Sequence, residues 1–374
     1  MKVLIVVTHL LGTGHLSRAL TLGRAFAAAG HDVTLASGGA PAPHLDTTGV
    51  TLVQLPPVKS DGTDFTRLLT PDGTQADADW LARRSETLND CLAGDPDLLI
   101  TELFPFGRRI LRAEFLALLD TARARPRPPR ILSSIRDILA PPSKPAKATW
   151  ADEIVTRYYD GVLVHSDPAR TDLSLSWPVS DALAPRLIYT GYVAPAPAGP
   201  HPDRAGAGEI LVSAGGGAVG DALFRTALAA AAQDPSRSWR LLVGGGADRL
   251  TTLADGAPAN VTLEAPRPDF RQMLSHAAAS VSMCGYNTAL DILQAGTPAV
   301  FVPFDAGNEV EQGLRADSLA ALPGIVALKS ADLTPEALRA ALDRVTTDGP
   351  RDSGQLRDDG AAETIRICET MMTK

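Results

Sequence analysis

An α/β fold of two Rossmann-like domains is what the sequence predicts, and three observations predict it. Short apolar runs alternate with helical periods from residue 3 onward. Glycine loops stand where two of those runs hand over to a helix. A stretch of Ala, Pro and Gly at residues 193–208 breaks the rhythm, which then begins again. Short apolar strands separated by helical segments argue for a mainly parallel, doubly wound sheet in each half.

The elements follow in order. Residues 3–7 form an apolar strand, and a loop over residues 8–14 leads into a helix with Leu16, Ala19, Leu20, Gly23, Phe26 and Ala27 on one face. Gly30 ends that helix, and residues 32–36 are the second strand. Further strands fall at residues 98–100, 130–134, 161–164 and 186–189. After the break come strands at 209–213, 240–243, 261–263 and 279–283, with a helix at 222–232. The expected domains are 1–192, a linker at 193–208, a second domain at 209–354, and a closing segment at 355–374.

At 374 residues the chain is long enough for two cores, and 45% apolar with 21% charged residues fits a globular protein. A net charge of −8 leaves no basic field for nucleic acid. Cys91, Cys284 and Cys368 show no ligand spacing, so neither a disulfide framework nor a zinc site is expected, and a cytoplasmic setting is. The apolar run at the start is too short for a signal peptide, and no run is long enough to span a bilayer.

The most informative stretch reads Ser282-Met283-Cys284-Gly285-Tyr286-Asn287-Thr288-Ala289-Leu290-Asp291. A strand meets a glycine turn and then a helix, whose first N–H groups and positive dipole end suit a phosphate. Asp291 stands one to two turns later, placed to accept hydrogen bonds from sugar hydroxyls, and the polar pair Glu311-Gln312 follows another short strand. Together they point to a nucleotide-sugar pocket. The loop Ser213-Ala214-Gly215-Gly216-Gly217 can turn its amides towards an anion. The first loop holds Gly12, Gly14 and His15, but Ser17 replaces a third glycine and no acidic residue ends the second strand, which argues against a dinucleotide site.

The stretch from Gly285 to Gln312 resembles the donor-binding half of GT-B glycosyltransferases of the MurG-like group (family 28 type). That resemblance implies two Rossmann-like domains with parallel sheets facing a central cleft, no cofactor, no metal, and a nucleoside-diphosphate sugar as donor, uracil being the implied base. It gives Asp291 the ribose hydroxyls and Glu311-Gln312 the donor sugar, with Glu standing where the group has Gln. It borders the diphosphate with Ser213, Gly215, Gly216 and Gly217, and sets the chain around Arg267 against the base. It also brings Gly12 and Gly14 into the cleft and returns the last helix to the first domain. Residues 101–109 and 133–137 resemble more closely a branch of predicted bacterial glycosyltransferases related to that group.

His15 is the expected general base, with Glu102 as the rival. Gly12, Phe106, Arg108, Arg109 and Arg136 are candidates for the acceptor, an anionic lipid-linked or saccharide hydroxyl, with peripheral contact at the inner membrane face. A core role for the Phe residues and solvated Arg residues is the competing reading. Asp77-Ala78-Asp79 opens a helix, where dipole stabilisation accounts for it better than metal binding. The expected reaction is inverting sugar transfer in envelope, polysaccharide or glycolipid synthesis. A nucleotide-sugar hydrolase and a non-catalytic nucleotide-sugar binder are the alternatives.

Overall fold

The computed structural model describes all residues except 63, 216–218, 306–308, 348, 352–355 and 374, with positions 64 and 65 described by backbone alone. The chain divides into two units, Met1–Ala194 with Arg357–Lys374, and Pro195–Leu356.

In unit 1 the elements run β1 (Lys2–Val7), α1 (Gly14–Ala28), β2 (Asp32–Ser37), β3 (Thr51–Gln54), β4 (Lys59–Asp61), β5 (Asp64–Leu69), α2 (Ala78–Ala93), β6 (Leu98–Glu102), α3 (Arg112–Arg123), β7 (Arg130–Arg136), α4 (Pro145–Tyr158), β8 (Gly161–His165) and β9 (Leu187–Tyr189). Among the described residues, seven strands pair in the order β3-β2-β1-β6-β7-β8-β9, all parallel. Side chains alternate across β1, so each face gets its own core. Val3, Ile5 and Val7 pack with Leu16, Leu20 and Phe26, while Leu4 and Val6 share the other cluster with Leu88, Phe115 and Val155.

The sequence expectation contains neither β3 nor the antiparallel hairpin β4–β5. β3 is a four-residue edge strand, Thr51-Leu52-Val53-Gln54, that is mostly exposed, so it lacks the apolar run that marks the central strands. Asp77 caps α2 by accepting from Trp80 N at 2.8 Å. Arg123 and Arg130 pair with Asp160, and Arg125 and Arg127 with Asp95.

Unit 2 runs β10 (Ile210–Ser213), α5 (Asp221–Gln233), β11 (Trp239–Leu242), α6 (Ala247–Ala254), β12 (Val261–Glu264), α7 (Phe270–Leu274), β13 (Ala279–Ser282), α8 (Tyr286–Ala295), β14 (Ala299–Phe301), α9 (Glu311–Leu319), β15 (Ile325–Ala327) and α10 (Pro335–Thr347). Its parallel sheet has the order β12-β11-β10-β13-β14-β15. Ile210, Val212, Val281 and Val300 bury one face against Phe224 and Ala227 of α5 and Leu338 and Leu342 of α10. Residues 195–208 have no regular structure but are tied to this unit. His201 pairs with Asp269 at 3.0 Å, and Arg271 donates to Ala196 O at 2.9 Å.

The chain then returns to unit 1 as α11 (Gly360–Met372), which packs on α1 and adds Cys368 to the cluster around Phe26. Among the described residues no helix is long and apolar enough to cross a membrane.

Candidate active site

Each sheet reverses its winding once, between β1 and β6 in unit 1 and between β10 and β13 in unit 2. Open α/β sheets take ligands beyond the carboxyl ends of the strands at such a point. Gly12, Gly14 and His15 follow β1, and Glu102 is the last residue of β6. Ser213 ends β10, Gly215 follows it, and Gly285 and Tyr286 follow β13. Both groups of sequence-predicted residues therefore stand at switch points.

In unit 1 His15 Nδ1 lies 2.9 Å from Glu102 Oε1, across 87 residues of sequence. An ionised carboxylate only accepts, so Nδ1 carries the proton and Nε2 keeps its lone pair. Burial holds the imidazole down at about 3; the Glu102 hydrogen bond opposes this, and the charges of Arg108 and Arg136 reinforce it. For Glu102, burial pushes the carboxyl up, but the Arg18 charge and the bonds from His15 and Ser134 outweigh it and bring it to about 2. Arg18, one turn into α1, donates to Oε1, and Ser134 Oγ donates to Oε2 at 2.8 Å. Glu102 is 2% exposed. The two candidate bases are thus hydrogen-bonded to each other, with Glu102 as the acceptor of the His15 Nδ1–H.

The loop after β6 carries the acceptor candidates. It passes through two left-handed non-glycine residues, Leu103 at φ 69° and Arg108 at φ 58°, a conformation that costs about 1–2 kcal/mol each. Arg108 Nε donates to Thr8 O at 2.6 Å, which ties this loop to the start of the glycine loop. Arg109 donates to Phe106 O at 2.6 Å, and burial lowers its pKa. Arg136 ends β7. Phe106 departs from the expected acceptor patch: it is buried, edge-on to Trp177 at 5.2 Å, while Phe104 stacks on Phe115 at 4.5 Å. Rings buried on this scale belong to the core. Gly12 has φ 65° and open space where a Cβ would stand.

In unit 2, Gly285 is the N-cap of α8 and Asn287 and Thr288 are partly exposed in its first turn. Tyr286 is buried, with the Arg315 guanidinium over its ring at 5.9 Å. Arg315 also donates to Cys284 O at 2.9 Å, which pins α9 to the turn that opens α8 and brings Glu311 and Gln312 with it. Gln312 Oε1 accepts from Phe304 N at 3.1 Å. Asp291 accepts from Arg271 Nε at 2.7 Å; burial raises its carboxyl to about 6 against that cation's pull. Ser213 Oγ accepts from Gly215 N at 3.2 Å, and Gly215 sits at φ 80°. Gly216 and Gly217 lie outside the described residues. Arg267 is not brought to this switch point. It follows β12, two strands from β10, and Asp269 holds its Nε at 2.8 Å.

Sequence reasoning missed Arg18, Ser134, His165 and Arg271. Arg18 follows His15 by one helical turn. Ser134 and His165 lie at the carboxyl ends of successive strands, a position at which any polar residue in an apolar run merits notice.

The fold is GT-B. Residues 215–363, most of unit 2, match the glycosyltransferase family 28 C-terminal domain. Over 78 residues the chain is 42% identical to the UDP-N-acetylglucosamine--N-acetylmuramyl-(pentapeptide) pyrophosphoryl-undecaprenol N-acetylglucosamine transferase of Paenarthrobacter aurescens (strain TC1). That match spans 20% of this chain and 21% of the relative. Among solved structures, the calicheamicin glycosyltransferase CalG4 superposes with a TM-score of 0.65 at 19% identity, covering 99% of this chain and 97% of that one. Acinetobacter baumannii MurG gives 0.62 at 17% identity, covering 99% of each. The UDP-glucosyltransferase of Polygonum tinctorium gives 0.64 at 17% identity, covering 100% of this chain and 98% of the other.

Proposed function

We propose that the protein is an inverting, metal-independent glycosyltransferase that moves a sugar from a UDP-sugar to an acceptor hydroxyl. The observation that carries this reading is the His15–Glu102 pair at 2.9 Å. Glu102 fixes the Nδ1–H form of His15, and Nε2 takes the proton of the acceptor hydroxyl as its oxygen attacks the anomeric carbon. The bond from that carbon to the diphosphate breaks, and the diphosphate leaves with the electron pair.

Unit 2 supplies the donor site in this reading. Gly215, Gly285, Asn287 and Thr288 offer backbone N–H groups to the diphosphate, and these stabilise the charge that develops on it. Arg271 already occupies Asp291 Oδ1, so the ribose hydroxyls donate to Oδ2. Glu311 and Gln312 face the sugar. The relative's name specifies a pyrophosphoryl-undecaprenol acceptor; with Arg108 and Arg136 beside His15, this supports an acceptor with negative charge near its hydroxyl. Arg109 adds a second cation to the segment that carries Arg108. Such an acceptor would draw the protein to the cytoplasmic face of a membrane and place it in envelope synthesis.

Calorimetry with UDP and with a panel of UDP-sugars, followed by product analysis with and without lipid-linked acceptors, tests the reading. Binding of UDP and sugar transfer to an acceptor are expected. Hydrolysis that no acceptor suppresses would make water the acceptor of the same base, and binding without turnover of any donor would remove the catalytic role.

A further inference from the structure

The polar chain that begins at His15 continues past Glu102. It runs along the carboxyl ends of four neighbouring parallel strands: Glu102 ends β6, Ser134 lies in β7, His165 ends β8, and Thr190 follows β9. Register puts all four side chains on one face. Glu102 is opposite Ser134, Ser134 is opposite Leu163 two residues before His165, and Tyr189 is opposite Val164, so Thr190 comes level with His165. Ser134 Oγ is 2.8 Å from Glu102 Oε2 and 2.9 Å from His165 Nε2, and His165 Nδ1 is 2.8 Å from Thr190 Oγ1. His165 and Thr190 are 0% exposed and Ser134 is 3% exposed. Polar groups this deep in an apolar sheet are tolerated only when bonded, and an aliphatic residue at each position would meet no such requirement.

We propose that Ser134 and His165 are positioning residues which, acting through Glu102, fix the orientation of the carboxylate that holds the His15 ring. The inference rests on His15 as the base. It follows from counting protons. A neutral imidazole has one donor and one acceptor nitrogen. The Thr190 hydroxyl can give its proton to His165 Nδ1 or to Gly191 O, at 2.8 Å each, or to Val164 O at 3.4 Å. The Ser134 hydroxyl can give its proton to Glu102 Oε2 or to His165 Nε2.

These choices are linked. If Ser134 donates to Glu102, His165 donates from Nε2 to Ser134 and accepts at Nδ1 from Thr190. If Thr190 donates to Gly191, His165 donates from Nδ1, Ser134 turns to Nε2, and Glu102 loses a donor. A hydrogen bond to a carboxylate is about twice as strong as one between neutral groups, so the first arrangement prevails. In it Ser134 holds Oε2 while Arg18 and His15 hold Oε1. The carboxylate cannot turn, and His15 has one fixed acceptor for Nδ1–H.

Nitrogen-15 NMR of the full chain labelled at histidine reads both tautomers at neutral pH without any substrate. The expected result is an Nδ1–H form for His15 and an Nε2–H form for His165. In Ser134→Ala and His165→Leu, His15 should keep its Nδ1–H form, since an ionised carboxylate only accepts, but its ring signals should shift and broaden as the carboxylate gains freedom to turn. Turnover should fall about tenfold, as for loss of an outer partner of a fixed imidazole, with UDP affinity unchanged. Ser134→Thr and His165→Gln keep the hydroxyl and the N–H donor, and should restore both readouts. An Nδ1–H form of His165 in the unaltered protein overturns the inference even where a variant does not fold, and so do unchanged His15 signals in both disruptive variants. Undiminished turnover of His15→Gln would instead overturn the base itself and leave the tautomer measurements standing.

Discussion

The two switch points are built from opposite materials. That of unit 1 gathers ionisable and hydroxyl side chains, His15, Arg18, Glu102, Ser134 and His165, bonded to one another in a largely buried set. That of unit 2 presents a glycine-led loop and the start of a helix, with side chains such as Gln312 turned to backbone amides. The contrast follows from what each chemistry requires. Proton transfer depends on which nitrogen holds a proton, so the tautomer must be fixed by partners. A diphosphate needs several N–H groups at close range, and side chains would obstruct them.

Three measurements test that division. The largest effect is expected from His15→Ala, which should lower turnover by about 10²–10⁴ while UDP affinity, read by calorimetry, stays as it was. Glu102→Gln should lower turnover by less, since Arg18 keeps the amide oxygen opposite Nδ1 as an acceptor and what is lost is the carboxylate charge. Normal turnover in His15→Ala would end the assignment of proton transfer to unit 1.

Asp291→Ala should have the converse signature. Losing a hydrogen bond to a charged group costs roughly 1.5–3 kcal/mol, about ten- to a hundredfold in UDP affinity, with thermal stability little altered. Unchanged affinity would sink the ribose assignment. Collapse of the fold would show that the Arg271 pair is structural.

The smallest effect is a difference of sign with pH. His15 and His165 are held at about 3 by burial, below the ordinary 6.5, so an unfolded chain binds protons that the folded one refuses. Their contribution is complete above pH 6.5 and is lost as pH falls from there towards 3. Glu102, lowered from 4.5 to about 2, adds to the loss below pH 4.5. Asp291 acts the other way: its carboxyl is raised from 3.8 to about 6, so its contribution is present below 3.8 and is lost as pH rises through 6. Denaturant unfolding between pH 7.5 and 5, followed by Trp177 for unit 1 and Trp239 for unit 2 in variants that keep one tryptophan, should show the unit 1 midpoint falling more steeply. Equal slopes would contradict the contrast.

The central strands were legible because a strand buried on both faces must be apolar throughout, as Val3 to Val7 and Leu98 to Ile100 are. β3 escaped notice because an edge strand is under no such constraint. The glycine turns were legible from local sequence, since their backbone geometry depends on adjacent residues. The link between His15 and Glu102 was not, because it comes from β1 and β6 lying side by side, and nothing within either segment encodes that neighbour. Phe106 was misjudged for a related reason: an aromatic residue beside two arginines looks the same whether its ring meets Trp177 or water. The Arg271–Asp291 pair was likewise invisible to a reading of α8 alone.

The order of the chain also bears on how the molecule is made. Unit 2 is inserted within unit 1, so a ribosome completes all of Pro195–Leu356 before it reaches the helix that covers α1. Until Gly360–Met372 emerges, the apolar flank around Phe26 and Leu22 lacks the residues that cover it, among them Ile365, Cys368 and Met371. The first unit to begin synthesis is therefore the last to finish folding, and a nascent chain stalled anywhere in unit 2 would present that flank to chaperones.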